Sequence, residues 1–361
     1  MQRSAIPIAA LALVLSVHNA RPAERDDRSQ EVKRLIASAR DKGEAELDLA
    51  WSDTSLGGSE GAKKFGALVN AMYGINVKLN FTPGPSMTDM AGKIAQEVAA
   101  GRKASTDILV GTESHFGALL GRNVLEEYDY TKLSSRIRKD FVVPKNIGVE
   151  FATVVSGITY NTNLVRPSDV PKKLEDILSP KWKGMIASTQ NAAIFDRVAY
   201  RPEWGAERMR AFLGRLSGQV GGLIRASENE RVISGEFAML VLDGGGHQVR
   251  KQQAKGASLA HVIPEDAGTV ASLHIGVPRN SSHPNLAKLF INMVMSEAGQ
   301  KLVFETHFTD HHELPGSQSA AALAQLKSKG IDLLKVDVEF VARHPEMGKL
   351  SDDFRRILQR G

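Results

Sequence analysis

The stretch "INVKLNFTPGPSMTDMAGKIAQEVAAGRKASTDILVGTESHFGALLG", from Ile75 to Gly121, decides the fold class. Its pattern predicts a strand, "INVKLNF", then a helix that follows turn residues, then a second strand, "TDILVG", and a second helix. Ser86 is a candidate N-cap of the first of these helices, because Asp89 follows three residues later. Regular alternation of strands and helices predicts an α/β protein with a mainly parallel sheet.

The alternation continues on both sides of this stretch. Upstream, "EVKRLIASARDKG" predicts a helix with an apolar face, and "AELDLAWS" (Ala45–Ser52) predicts a strand. Downstream, "GVEFATVVSGITYNT" predicts a long strand, and the apolar run Met239–Leu242 predicts a buried strand that enters the tight loop "DGGG". The chain after Asn285 is predicted to be mostly helical.

Composition bounds the function classes. The 361 residues are enough for two domains, and the net charge of +5 favours anionic small molecules as partners. The absence of cysteine excludes disulfides, thiolate catalysis and cysteine metal sites. Basic residues are spread along the chain and aromatic residues make up 6%, so a nucleic-acid partner is not expected.

The N-terminus has the pattern of a secretory signal peptide. A basic Arg3 precedes an apolar stretch from Ala5 to Val17, and small or polar residues follow. We expect residues 1–20 to be removed after Ala20, so the mature protein would be exported. The alternative is an uncleaved anchor or a buried N-terminal helix.

Several segments carry a resemblance to a known family. They include "TDILVGTESHFGALLGRNVLEEYD", "DVPKKLEDILSPKWKGMIAS" and "VISGEFAMLV", and the pairing of "SPKWKG" with "SGE" before an apolar run is the most specific part. Over Ala45–Glu305 the chain resembles the bacterial periplasmic solute-binding proteins of ABC importers. The similarity is to the type II fold, in the branch that contains the ferric-iron binders.

The resemblance implies two α/β lobes joined by hinge strands, with a solute clamped in the cleft between them. It places hinge crossings near Val154–Tyr160 and Thr269–Val277. Lobe one would comprise residues 24–153 and 270–361, and lobe two residues 154–269. The protein would be a periplasmic monomer that binds a small molecule, contacts the ABC permease and has no cofactor and no enzymatic activity.

The ferric ligand set implied by this branch is largely missing. In the ferric binders, the run that matches "GEFAMLVLDGGGHQ" delivers adjacent tyrosines, and Gly245 and Gly246 occupy those positions here. The loop after the first strand, "WSDTSLGG", lacks the family's histidine, and the acid after the third strand is either retained as Glu113 or replaced by Thr112. We therefore expect no metal, and glycines that widen the cleft for an organic solute. The alternatives are a plain strand-end turn and a ferric site with a rebuilt ligand set.

Ligands of open α/β sheets bind beyond the carboxyl ends of strands. The remaining candidate binding residues are therefore those near the ends of predicted strands. We expect Trp51 either to stack on a ligand or to pack in the core. We expect Arg225 either to bind a carboxylate or phosphonate or to lie on the surface. The segment "STQNAAIF" is expected to start a helix whose N–H groups hold an anion. The predicted ligand is a small organic anion, a carboxylate or phosphonate. The predicted binding residues are Trp51, Ser52, Ser86, Thr112, Glu113, Thr189, Gln190, Asn191, Arg225, Asp243, Gly245 and Gly246.

Two motifs suggest other chemistry. "GGSEG" around Ser59 matches the nucleophile elbow of serine hydrolases, but several residues separate Ser59 from the preceding strand, so this function is not expected. "HFTDHHE", from His307 to Glu313, resembles a metal cluster. It lies just before Pro315 and Gly316, which favours solvated histidines at a helix end.

Overall fold

The computed structural model describes residues 29–52, 55–190, 192, 194–225 and 228–360. The predicted signal peptide, residues 1–20, lies outside this part of the chain. Within the described residues, no helix is both long and apolar enough to span a lipid bilayer.

The described residues form thirteen α-helices and ten strands, besides six short 3₁₀ helices. The helices are α1 Gln30–Asp41, α2 Gly58–Tyr73, α3 Met87–Ala99, α4 Glu113–Leu119, α5 Phe195–Val198, α6 Gly205–Ser217, α7 Glu230–Ile233, α8 Gly246–Gln253, α9 Pro284–Met295, α10 Glu297–His307, α11 Gln318–Ser328, α12 Val338–Arg343 and α13 Met347–Leu358. The strands are β1 Glu46–Trp51, β2 Lys78–Pro83, β3 Leu109–Thr112, β4 Val149–Asn161, β5 Ile186–Thr189, β6 Val220–Ile224, β7 Met239–Asp243, β8 Leu259–Val262, β9 Thr269–Gly276 and β10 Leu334–Val336.

Local chemistry explains where the first helices begin and end. Ser29 caps α1 by accepting a hydrogen bond from the Val32 N–H, and Gly43, with φ of +66°, follows its last turn. Ser86 caps α3 as predicted: its hydroxyl accepts from the Asp89 N–H at 3.2 Å. Each cap satisfies a backbone donor that has no partner within the helix.

The strands form a mixed sheet. Its central order is β10-β9-β4-β7-β5-β6, with β3 also paired to β9 and β8 to β4. Strand β5 runs parallel to β6 and β7, whereas β4 is antiparallel to β7, β8 and β9. The parallel pair β1–β2 adjoins this sheet through a bridge between Leu49 and Ile108.

Two long strands connect two separate cores. Strands β4 and β9 pair antiparallel, with Val154 opposite Ala271, at the positions expected for the hinge. Phe151 of β4 belongs to a core with α1, α2 and α9, while Ile158, further along the same strand, belongs to a core with α5 and α6. One strand thus contributes to both lobes, as a hinge strand does.

The end of the chain differs from the predicted lobe division. Helix α12 packs on α4 of lobe one, where Val338 lies in a core with Phe116. Helix α13 instead packs on α5 and α6, and its buried Phe354 and Leu358 join the lobe-two core. We therefore assign residues 347–358 to lobe two, although the prediction placed all of 270–361 in lobe one. The remaining boundaries stay predictions.

Candidate functional site

A buried ion pair joins the two lobes. Glu113 is the first residue of α4, directly after β3 in lobe one, and its carboxylate accepts a hydrogen bond from the Arg197 guanidinium of α5 in lobe two. The Glu113 side chain is fully buried and that of Arg197 is 14% exposed. We call the facing surfaces of the two lobes around this pair the interlobe cleft. Arg197 was not among the predicted site residues, because its partner lies 84 positions away in the chain.

The backbone around Glu113 is held by Thr112 and His115. The Thr112 N–H donates to His115 Nδ1 at 3.0 Å, and the Thr112 hydroxyl lies 3.0 Å from the same nitrogen. Burial lowers the pKa of His115, so it is neutral at pH 7 and Nδ1 can accept. Thr112 therefore acts on the start of α4, while Glu113 reaches the opposite lobe.

Polar atoms of the ion pair and of the end of β5 have no hydrogen-bond partner among the described residues. Glu113 Oε2, Arg197 Nε and the hydroxyls of Ser188 and Thr189 are buried and make no hydrogen bond to the described residues. Burial also raises the pKa of the neighbouring Asp196 carboxyl. Buried polar groups almost always have a partner, so this region is suited to a polar ligand or ordered water.

Protein side chains lie close to the glycines of the turn after β7. Asp243 is buried, and Thr159 Oγ1 lies 3.0 and 3.1 Å from its two carboxylate oxygens. A Cβ at Gly245 would lie 2.0 Å from Asp243 Oδ2, and one at Gly246 would lie 3.2 Å from His261 Nδ1. The expectation of a wider cleft is therefore wrong at Gly245, where the Asp243 carboxylate fills the space. Gly246 lies against the His261 ring and also lines a cavity of about 160 Å³.

We expect Asp243 to make stability depend on pH. Burial raises the pKa of its carboxyl from 3.8 to about 7, so the folded protein binds this proton more tightly than the unfolded chain. The protonated Asp243 carboxyl therefore makes its full contribution to the free energy of unfolding below pH 3.8, and this contribution is lost as pH rises to about 7. Urea unfolding across this range should show a smaller decline for Asp243→Asn than for the wild type. The exposed Asp352→Asn serves as the control, and equal declines in all three proteins would contradict the assignment.

The predicted anion-binding helix starts later than expected. Helix α5 begins at Phe195, not at Thr189, and has only four residues. Ala192 and Ile194 have φ of +49° and +77°, conformations that a helix does not allow, so the chain after β5 is a strained loop. Thr189 ends β5 and is buried, Gln190 is exposed, and Asn191 lies outside the described residues.

Trp51 and Ser52 lie at the end of β1. The Trp51 side chain is 3% exposed and its ring contacts Phe81 and Phe290, with centroid distances of 5.3 and 6.4 Å. The contacts that the structure shows are therefore those of a core residue. Ser52 is half-buried, and its hydroxyl lies 3.2 Å from that of Ser55.

Ser86 and Arg225 are exposed. The Ser86 hydroxyl donates to Asp89 Oδ2 at 2.7 Å, so it is engaged within its own capping turn. Arg225 follows β6, where its backbone N–H donates to Glu228 Oε2 at 2.7 Å. No partner of the Arg225 guanidinium is found within the described residues.

The histidine-rich segment is not solvated, contrary to expectation. His307 ends α10 and is 7% exposed, and His311 is fully buried against the Phe141 ring at a centroid distance of 4.0 Å. The turn after α10 folds against β4, where the Thr153 N–H donates to the Asp310 carbonyl oxygen. This tertiary contact buries the segment.

Glu150, His311 and His312 come close enough to hold a metal ion, but their bonding favours a different arrangement. His311 Nδ1 accepts from the Glu313 N–H at 3.2 Å, so the ring proton lies on Nε2, which is 3.4 Å from Glu150 Oε1. The Lys335 ammonium also lies 3.4 Å from the Glu150 carboxylate. Both features oppose a cation between these groups.

Ser59 lies in the first turn of α2 and is exposed. Strand β1 ends at Trp51 and α2 begins at Gly58, so strand and helix are not joined directly at the serine as a nucleophile elbow requires.

Comparison with known proteins identifies a family and a fold. Residues 62–331 match the family described as bacterial extracellular solute-binding protein. No curated protein matches the chain. Iron-bound HitA from Pseudomonas aeruginosa is 18% identical to this chain with a TM-score of 0.67, and the match covers 86% of this chain and 99% of HitA. The substrate-binding protein of an Agrobacterium tumefaciens ABC transporter is 16% identical with a TM-score of 0.68, and covers 87% and 95%. MotA from A. tumefaciens B6, in complex with glucopine, is 17% identical with a TM-score of 0.62, and covers 87% and 99%. The chain thus has the type II periplasmic binding protein fold.

Proposed function

This chain belongs to the bacterial extracellular solute-binding protein family, which serves ABC transporters, and we propose that its solute is a small organic anion, a carboxylate or phosphonate. The solute would enter the interlobe cleft and stabilise the closed arrangement of the lobes, which the permease then selects. The protein would act as a periplasmic monomer without enzymatic activity, exported through residues 1–20.

The observation that carries this proposal is a set of buried polar atoms, in the interlobe ion pair and at the end of β5, that have no hydrogen-bond partner among the described residues. They come from Glu113 in lobe one and from Ser188, Thr189 and Arg197 in lobe two. A polar solute held between the lobes would supply hydrogen bonds to both sides at once. Because each lobe keeps unpaired groups without it, such a solute would favour closure.

The charge of the solute is inferred from the arginines. Glu113 already neutralises Arg197, whereas the guanidinium of Arg225 is exposed after β6 and free to bind a carboxylate in a bidentate manner. The chain carries a net charge of +5, which also attracts anions. The glucopine bound to MotA is an organic solute in a protein of the same fold.

A ferric ion is the alternative, because iron-bound HitA has the same fold. The resemblance places Gly245 and Gly246 at the tyrosine positions of the ferric binders, and Glu113 is engaged with Arg197. In the part of the chain that the structure describes, the two groups of histidines and carboxylates close enough to hold a metal are Glu150 with His311 and His312, and Asp48 with Asp107 and His283, and neither includes Glu113. No observation favours iron over an organic anion.

Arg225→Ala should weaken binding of the organic anion by about 1.5–3 kcal/mol, through loss of a charge-assisted hydrogen bond. The melting temperature of the ligand-free protein should change little, because an exposed arginine contributes little to folding. Calorimetric titration with organic acids, phosphonates, sugars and cationic amines measures the affinity. Arg166→Ala, which removes an arginine that is 80% exposed elsewhere on lobe two, is the matched control. Tight binding of a neutral sugar or a polyamine, with no response to any anion, would refute the proposal.

A further inference from the structure

Helix α11 packs loosely against the rest of the protein. Of the thirteen α-helices in the described part of the chain, it alone has no buried residue. Leu323 and Leu326 on its inner side are half-buried, while Ala324 and Gln325 on its outer side are exposed. Little buried apolar surface holds the helix in place, so it can separate from its neighbours at a low cost in free energy.

The inner side of α11 forms one wall of the cavity of about 160 Å³ that Gly246 lines. Leu323 and Leu326 line this cavity from α11, and other parts of its wall come from β4, α8 and α10. Because α8 belongs to lobe two and α10 to lobe one, the cavity is part of the interlobe cleft. A single layer, α11 itself, thus lies between this part of the cleft and solvent.

One buried carboxylate holds the start of α11. Asp310 Oδ1 accepts hydrogen bonds from the Ser317 hydroxyl at 2.7 Å and from the Ser319 N–H at 2.9 Å, and its Oδ2 accepts from the Gln318 N–H at 2.8 Å. Asp310 is itself fixed, because its carbonyl oxygen accepts from the Thr153 N–H of β4. Hydrogen bonds to a charged group are stronger than neutral ones, so Asp310 ties the start of the helix to lobe one.

The other end of α11 has a pivot. Gly330 follows the end of the helix with φ of +74°, and a Cβ there would meet no atom within 4 Å. The chain is fixed again at Asp332, whose carbonyl oxygen accepts from Arg201 Nη1 at 2.6 Å. Rotation at Gly330 would therefore move α11 while Asp332 stays in place.

We propose that α11 is a lid over the interlobe cleft, held shut by Asp310 and turning at Gly330, and that a solute enters beneath it while the lobes stay together. Such a route leaves the buried pair of Glu113 and Arg197 intact, whereas entry by separation of the lobes has to break it. The inference rests on the proposed function only in placing the solute in the interlobe cleft.

Distances between spin labels on the full chain test the motion. The chain has no cysteine, so introduced cysteines are the only labelled sites. Gln325→Cys with Lys301→Cys on α10 reports the lid, and Lys301→Cys with Ala211→Cys on α6 reports the lobes; all three positions are exposed. Asp310→Ala should broaden the first distance distribution and leave the second unchanged. Asp337→Ala, which removes the N-cap side chain of α12, is the matched control and should change neither.

The rate at which iodoacetamide, a small neutral reagent, modifies Val155→Cys tests access to the cavity. Val155 lies on β4 in the cavity wall and is half-buried. Asp310→Ala should raise this rate by roughly tenfold or more, the equivalent of one lost hydrogen bond to a charged group. Asp310→Asn keeps one acceptor oxygen without the charge and should raise it by a smaller factor, and this variant decides the test when Asp310→Ala does not fold.

An unchanged distance between α10 and α11 in the folded Asp310 variants would overturn the inference, as would a modification rate of Val155→Cys equal to that in the otherwise unchanged chain. A joint change of both distances would show that α11 moves with the lobes, which also overturns it. No solute is used, so a failure of every organic anion to bind in calorimetry would refute the proposed function and leave these results standing.

Discussion

Arg197→Ala should shift the equilibrium between the closed and open arrangements of the lobes toward the open one by about 3–5 kcal/mol. This is the cost of leaving one charge of a buried ion pair without its partner. The pair forms between α4 of lobe one and α5 of lobe two, and the Glu113 carboxylate is fully buried. Once Arg197 is gone, hydrating Glu113 requires the lobes to separate. The variant should therefore open rather than unfold.

Small-angle scattering and fluorescence energy transfer between labels on the two lobes measure this shift. The matched control is the double variant Glu113→Gln with Arg197→Met, which removes both charges while keeping similar volumes. It should recover most of the closed population, because replacing a whole buried ion pair is often neutral. An unchanged lobe distance in Arg197→Ala would show that the pair does not hold the lobes together.

Phe354→Ala should cost about 3–5 kcal/mol of folding free energy, as expected for a fully buried phenylalanine. Its side chain lies in the lobe-two core with Phe212 and Leu213, although the chain reaches this position from lobe one. Deleting the ring leaves a cavity that α13, packed on α5 and α6, cannot close without moving.

Urea unfolding monitored by circular dichroism measures this loss. Phe340→Ala on the neighbouring α12 is the control, because that ring is half-buried and contacts Tyr200 and His344 near the surface. We expect a loss near 1 kcal/mol there. Equal costs for the two variants would mean that α13 is not part of the lobe-two core.

Much of the fold could be predicted from local pattern. The alternation of strands and helices between β1 and α4, the cap at Ser86 and the long hinge strand β4 follow from residue period and turn chemistry. Such features depend on neighbours within about a dozen residues, which the sequence contains directly. The matching family segments then supplied the two-lobed arrangement.

The candidate site could be predicted only in part. Ser86 and Thr112 were placed at strand ends and act there on helix starts. The helix after β5 was expected too early, because the left-handed Ala192 and Ile194 interrupt it and neither residue type signals such a conformation. The histidines near α10 were expected in solvent, because their burial under β4 depends on a long-range contact.

The sequence by itself determined the α/β class, the order of the elements and the family, since these depend on periodicity and on matching segments. Only the tertiary structure decided how the glycines after β7 are used, which partner Glu113 has, and which lobe holds α13. The physical reason is the same in each case. Thr159 holds the Asp243 carboxylate and Arg197 holds Glu113, each across 84 positions of the chain, and packing between distant elements leaves no local pattern in the sequence.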